Sequence, residues 1–334
     1  RRVAVLAALF SALTVMQIQQ SHFFTTDLFV NTFAFLAIYF AVAIVQHKGR
    51  EQDEEVKEER LESREVESGE VESGEVKIGE LSEEPIDGTK STISDTEPSN
   101  LESPRSTRQL PFTTYLLLFF RNPLFLLSLG FGVAFGMALA SKVNIYPLAI
   151  LLPGAFIVRH VVQNRNMSPR RHGDADQRLL NTDYWTLIVV CLLAGGFAAL
   201  LSFRIFQPYA FDGLKINPQW IANIQEQRLQ AKGDADLPWN LQWARRSPLF
   251  SFINLTVWGL GLPLGILAWA GFLLMGWRIL KGEWRHALLW GWTALYFVWQ
   301  SLQFNPTMRY QLPIYPLMGM MASWFLFELA RANP

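Results

Sequence analysis

An all-α polytopic membrane protein with about eight transmembrane helices is the fold class that this sequence predicts, and three observations carry the prediction. Half of the 334 residues are hydrophobic and only 17% are charged. Apolar runs of roughly 17 to 25 residues recur along the whole chain, long enough to cross a hydrocarbon core of about 30 Å. The charge is also segregated: residues 47–108 hold 19 of the 29 acidic and 9 of the 29 basic side chains, so the other 272 residues carry a net charge of +10. Together these exclude an ordinary soluble domain. The recurrence of the apolar runs also excludes a lone secretory signal peptide.

The spans fall at 3–18, 24–46, 124–140, 145–158, 184–206, 253–277, 287–302 and 310–330. They are helices, because a spanning segment must satisfy its own backbone and these lack the ten-residue alternation of a barrel strand. The third and fourth are short, and Pro147 and Pro153 interrupt the fourth. An eleven-residue apolar stretch at 110–120, cut from the next span by Arg121, Asn122 and Pro123, reads as an interfacial helix. The single cysteine, Cys191, excludes a disulfide framework, and the five histidines have no metal-ligand spacing. No phosphate loop, nucleophile elbow or nucleic-acid motif is present, so no cofactor and no nucleic-acid partner is expected.

Basic residues set the orientation. The connections after the fourth and sixth spans hold Arg159, Arg165, Arg170, Arg171, Arg178, Arg278, Lys281 and Arg285, whereas the short loops of opposite parity hold only Lys142 and Arg309. The first set is expected to be cytoplasmic, together with both termini and the acidic segment. That segment, 47–108, contains the repeats EVESG from Glu65, EVESG from Glu70 and EVKIG from Glu75. Its apolar surface is too small to offset the entropy of ordering, so it reads as a disordered cytoplasmic insert between two helices (1–46) and a six-helix region (109–334).

This topology collects His22, Asp27, Lys142, Asn144, Arg204, Arg309 and Tyr310 on the external side, with a loop at 207–252. An ionisable group at membrane depth costs about 2.5 kcal/mol or more unless paired or wetted, so each is a candidate site residue. Snorkelling cations and a helix-capping Asp27 form the plainer alternative. Together, three cations and one carboxylate make a pocket for an anionic group such as a phosphate. In the loop, Asn217 and Pro218 start a short interfacial helix, and Trp239 and Trp243 fit an interfacial belt better than a sugar platform.

Three strings carry a family likeness: QIQQSHFFTTDLFVNTFAFLAIYFA from Gln17, GMALASKVNIYPLAILLP from Gly136, and QFNPTMRYQLPIYPLM from Gln303. With FRIFQPYAF from Phe203, they resemble the multi-pass glycosyltransferases of the GT-C fold, in the protein O-mannosyltransferase-like family 39. The resemblance implies an enzyme that takes a sugar from a polyprenyl-phosphate carrier on the outer face of the cell membrane. It implies that Lys142 and Arg309 hold the lipid phosphate and that Asp27, as a catalytic candidate, and His22 line the same cavity. The family's principal aspartate lies in a first external loop upstream of the string at Gln17; that loop is not in this chain, which begins at Arg1 and is expected to be part of a longer product. A transporter or flippase-like protein for a lipid-linked anion, and a non-catalytic membrane subunit, are the alternatives.

Overall fold

The structure, a computed structural model, describes residues 1–23, 26–47, 122–166, 176–235 and 237–332. The expectations for the acidic insert beyond His47 and for an interfacial helix at 110–120 lie outside the described residues. Within them the chain is helical apart from one two-stranded hairpin. Helices α1 (Arg2–Ala12) and α2 (Val15–Phe23) meet at a 60° bend. Then come α3 (Thr26–Gln46), α4 (Pro123–Ser141), a 3-10 segment Val143–Ile150 leading into α5 (Leu151–Asn166), and α6 (Asp176–Phe206). The loop region holds β1 (Phe211–Asp212), β2 (Lys215–Ile216) and α7 (Pro218–Lys232). The short α8 (Phe250–Asn254) and a π turn at Leu255–Gly259 precede α9 (Leu262–Leu280) and α10 (Ala287–Ser301). A second 3-10 segment, Met308–Ile314, leads into α11 (Tyr315–Ala332).

Six helical stretches are long and apolar enough to cross a membrane: Thr26–Gln46, Pro123–Ser141, Val143–Gln163, Tyr184–Phe206, Leu262–Leu280 and Met308–Ala332. The bent pair α1 and α2 makes a seventh if it is one broken span. The stretch expected at 287–302 is α10, whose 15 residues reach about 22 Å at 1.5 Å per residue, with the 3-10 turn Trp284–His286 running directly into it. The stretch expected at 253–277 is interrupted by the π turn, because Gly261 turns the chain at φ 86° and Pro263 starts α9 without an N–H to donate. The outward surface fits a bilayer: Leu193, Phe197 and Leu200 on α6 are each 68% exposed.

Between lipid-facing helices there is no hydrophobic gain from association, so small residues that let backbones touch decide the packing. On α4, Ser128, Gly132 and Gly136 repeat every four residues and face α6. A Cβ at Gly132 would stand 2.1 Å from the Gly195 carbonyl oxygen, and one at Gly136 would stand 2.4 Å from that of Ala199. Ser202 Oγ donates to the Val133 carbonyl at 3.0 Å across the same seam. Helix α3 lays Ala34, Ala37, Ala41 and Ile44 into the core beside α4, and α9 and α1 pack on α11.

The polar residues gather at two ends of this bundle. At one end Asp27, near the start of α3, meets Lys142 at the C-cap of α4. At the other, Arg159 Nη1 donates to the Ile44 carbonyl at 3.0 Å and to that of His47, closing the last turn of α3. Arg159 was assigned to a loop by its sequence; it lies inside α5 and is only 4% exposed. Its charge satisfies carbonyls that a helix end leaves without partners and that attract a cation. Helix α5 also packs on the turn Trp284–His286, so Arg278, Glu283, Arg285, His286 and Glu328 belong to the Arg159 end.

Candidate functional site

Proline decides how the cations are presented. Lys142 caps the start of one 3-10 segment and Arg309 lies in the first turn of another, and each segment contains a proline, Pro147 in one and Pro313 in the other. A proline has no backbone donor and pushes the residue before it out of the α region, so neither segment begins as an α-helix. Both 3-10 segments pack against α3.

There Lys142 Nζ donates to Asp27 Oδ1. Asp27 is only 4% exposed, a burial that an ionised carboxylate tolerates because its partner stays beside it. Lys142 Nζ also lies 4.3 Å from the centre of the Tyr310 ring, and the Arg309 guanidinium lies 5.2 Å from the same ring. Two cations thus lie against one aromatic ring, a contact worth about 0.5–1 kcal/mol to each where it is open to solvent. Arg309 itself is exposed and has no carboxylate partner among the described residues. The residues that the sequence brought forward as Asp27, Lys142, Arg309 and Tyr310 therefore form one cluster.

The other expected site residues are placed differently. Arg204, at the end of α6, donates from Nη2 to the Gly213 carbonyl at 2.6 Å and stacks 4.6 Å from the Phe211 ring, so it anchors the hairpin. Asn144 is half-buried in the first 3-10 segment, one residue after Val143. His22 lies in α2, and its side chain is outside the described residues, as is that of Trp239. The helix begun by Asn217 and Pro218 is α7: Asn217 accepts from the Gln219 N–H at 2.9 Å, and Gly233 closes the helix at φ 81°. Trp220 from α7 meets Phe203 and helps to line a nearly wholly apolar cavity of about 560 Å3 between α4, α5 and α6. Trp243 packs edge-on against Phe250 instead of standing free.

A second cavity, of about 210 Å3, opens beside the charged cluster and is walled by Gln17, Gln20, Ser21, Asp27 and Asn31, with Ala12, Ile18, Leu28 and Leu312. Asp27 is common to the cluster and the cavity. Sequence reasoning passed over Gln17, in the polar end of α2, and Asn31, an amide inside an otherwise apolar run. For Asn31 that is the signal by which it could have been found.

No family model, curated protein or solved structure matches this chain.

Proposed function

We propose that the protein is a membrane-embedded glycosyltransferase of the GT-C kind, taking a sugar from a polyprenyl-phosphate carrier at the end of the bundle that holds Asp27, Lys142, Tyr310 and Arg309. The observation that carries this reading is the convergence of two cations from separate chain segments on Tyr310, with one carboxylate, Asp27, to balance them among the described residues. A lipid phosphate supplies the missing negative charge. Its departure from the sugar increases the charge on its oxygens, and fixed cations in a poorly hydrated site favour that change most in the transition state. Asp27 Oδ1 is occupied by Lys142 Nζ, so Asp27 positions the ammonium and another group takes the proton of the acceptor. The eight-span topology, with this end external and the Arg159 end cytoplasmic, belongs to the same proposal.

The experiment is equilibrium binding of a polyprenyl-phosphate hexose to the protein in nanodiscs. Saturable binding is expected, weakened about tenfold by Arg309→Gln, which corresponds to one charge-assisted contact of about 1.4 kcal/mol. Binding that ignores Arg309→Gln removes the site. A second reading, a carrier that moves a lipid-linked anion, is favoured by the 60° break between α1 and α2, since broken helices often line transport sites. A transferase leaves free polyprenyl phosphate behind; a carrier delivers the glycolipid intact to the other leaflet.

A further inference from the structure

The larger of the two cavities has the shape and chemistry of a seat for a hydrocarbon chain. It measures about 560 Å3 and lies between α4, α5 and α6. Phe131, Phe135 and Leu139 form its α4 wall, repeating every four residues on one face of the helix. Water fills such a space poorly, because a buried water needs several polar partners. A hydrocarbon chain fills it well, since every methylene finds carbon neighbours and gains dispersion contacts.

The mouth of the cavity identifies the source of the chain. Its exposed lining residues are Ala149 and Pro153 on one lip and Gly196 and Leu200 of α6 on the other. Leu193 and Phe197, each 68% exposed, continue that second lip over the outward face of α6. The mouth therefore opens sideways onto the bilayer. Two adjacent glycines of α6 divide the work: a Cβ at Gly195 would stand 2.6 Å from Leu152 Cδ2, whereas one at Gly196 would meet nothing within 4 Å. Gly195 closes the seam, and Gly196 is the gap in the wall.

Size and charge narrow the choice of lipid. At about 30 Å3 per methylene, a water-sized share, the cavity holds one chain of roughly 16 to 18 carbons and not two. Gly196, Leu200 and Arg204 follow one another at four-residue spacing on a single stripe of α6. Arg204 thus stands about 12 Å along the axis from the gap, a drop that stays within the roughly 15 Å of one leaflet. It is exposed, and of its five N–H donors it spends one on the Gly213 carbonyl. Trp220 lines the same end of the cavity, where an indole suits the headgroup level.

We propose that this cavity is a structural phospholipid site: one acyl chain enters beside Gly196, and the phosphodiester of the same lipid lies at Arg204. A polyprenyl chain is much longer than the cavity, and the Asp27–Lys142 pair lies between α4 and α3, whereas the cavity lies between α4 and α6. The site is thus separate from the one assigned to the carrier, and it stands whether or not the protein is a transferase.

The test is photo-cross-linking of the full chain in phosphatidylcholine vesicles doped with a phosphatidylglycerol that carries a diazirine in the middle of one acyl chain, with labelled residues read by mass spectrometry. Phe131 and Phe135, only 2% and 9% exposed, are expected to be labelled along with Leu193 and Phe197. Gly196→Phe is expected to cut the labelling of Phe131 and Phe135 by about fivefold or more, because its ring crowds the mouth. It leaves the labelling of Leu193 and Phe197 unchanged, which reports that the variant is in the bilayer. Ala149→Phe, on the opposite lip, gives the same selective loss if Gly196→Phe does not fold. Gly291→Phe on α10, where a Cβ also meets nothing within 4 Å, is the control and changes nothing. Arg204→Gln lowers the inner labelling by about threefold, and Arg204→Lys restores it. Labelling confined to Leu193 and Phe197 in the parent protein means annular lipid only, and it overturns the proposal. So does inner labelling that survives both phenylalanine variants, or that ignores Arg204→Gln. Inner labelling that excess polyprenyl phosphate displaces gives the cavity to the carrier and overturns it as well.

Discussion

The two polar ends of the bundle use the same residue types to opposite effect. Around Glu328, three arginines meet two glutamates. Arg278 pairs with Glu328 and, at 3.7 Å, with Glu283; Arg285 reaches Glu283 at 3.6 Å, and Arg331 reaches Glu328 at 2.8 Å. Arg278 also lies 5.1 Å from the Trp324 ring, which is 5.5 Å from that of His286. These pairs are half-exposed and each contributes about 0–1 kcal/mol, so the network pins α9 to α11 with a carboxylate in reach of each of its three arginines. At the Asp27 end one buried carboxylate pairs with Lys142, and Arg309, against the same Tyr310 ring, has no carboxylate partner among the described residues. The difference is that each arginine of the first network reaches a carboxylate, whereas Arg309 of the second reaches none among the described residues.

Labelling tests the contrast most directly, because the outcome is all or none. Cys191 is fully buried, which leaves the parent protein silent. Leu214→Cys, at a hairpin position 97% exposed, is expected to react with an impermeant thiol reagent on intact cells. Lys281→Cys, beyond α9, is expected to react only after permeabilisation. The reverse pattern inverts the topology and places the cation pair inside.

Stability separates the two ends next. Lys142→Met leaves Asp27 buried and alone, at an expected cost of about 2–3 kcal/mol in detergent, read as a lower melting temperature. The double variant Asp27→Asn, Lys142→Met recovers most of the loss, because no uncompensated charge remains. Glu283→Gln at the other end costs under about 1 kcal/mol. Equal losses at the two ends would erase the distinction.

Coupling in binding is the third and smaller effect. If Lys142 and Arg309 hold one phosphate, removing both weakens polyprenyl-phosphate affinity by less than the product of the single losses, with a coupling of about 0.5–1.5 kcal/mol. The Lys142 change is made together with Asp27→Asn so that the fold is preserved. Full additivity would assign the two cations to different ligands. Arg285→Gln is the control at the Glu328 end and leaves affinity unchanged.

The smallest effect is a pH slope at the Glu328 end. Burial holds the His286 imidazole below the ordinary histidine range, and the nearby charge of Arg285 adds to this. The unfolded chain takes up a proton near pH 6.5 that the folded chain refuses, so stability is complete above that pH and declines as pH falls below it, until the lower folded value is reached. Thermal melting from pH 7.5 to 5 is expected to show that decline, and His286→Gln to flatten it. A slope that survives in His286→Gln belongs to another group.

Hydropathy made the main helices legible, because a spanning helix must be apolar along its whole length and that property is local. Helices α3, α4, α6, α9 and α11 lie where the apolar runs do, and Asn217 with Pro218 fixed the start of α7 by a cap that involves only neighbours. The breaks were less legible. The bend after α1, the π turn at Leu255–Gly259 and the short α10 come from how the segments pack, and hydropathy averages over them.

The same division holds for the site. The sequence by itself marked Asp27, Lys142, Arg309 and Tyr310, since an ionisable group in an apolar run is costly wherever the chain goes. It could not tell that Arg204 turns to the hairpin, nor that Arg159 is sealed inside at the end of α3. Nor could it single out Gln17 and Asn31, which line one cavity with Asp27 and each bury an amide atom that has no hydrogen-bond partner among the described residues. Charge and hydropathy belong to each residue, and the sequence states them outright. Whether a polar atom finds a partner depends on residues distant along the chain, 115 positions apart for Asp27 and Lys142, and only the tertiary structure decides it.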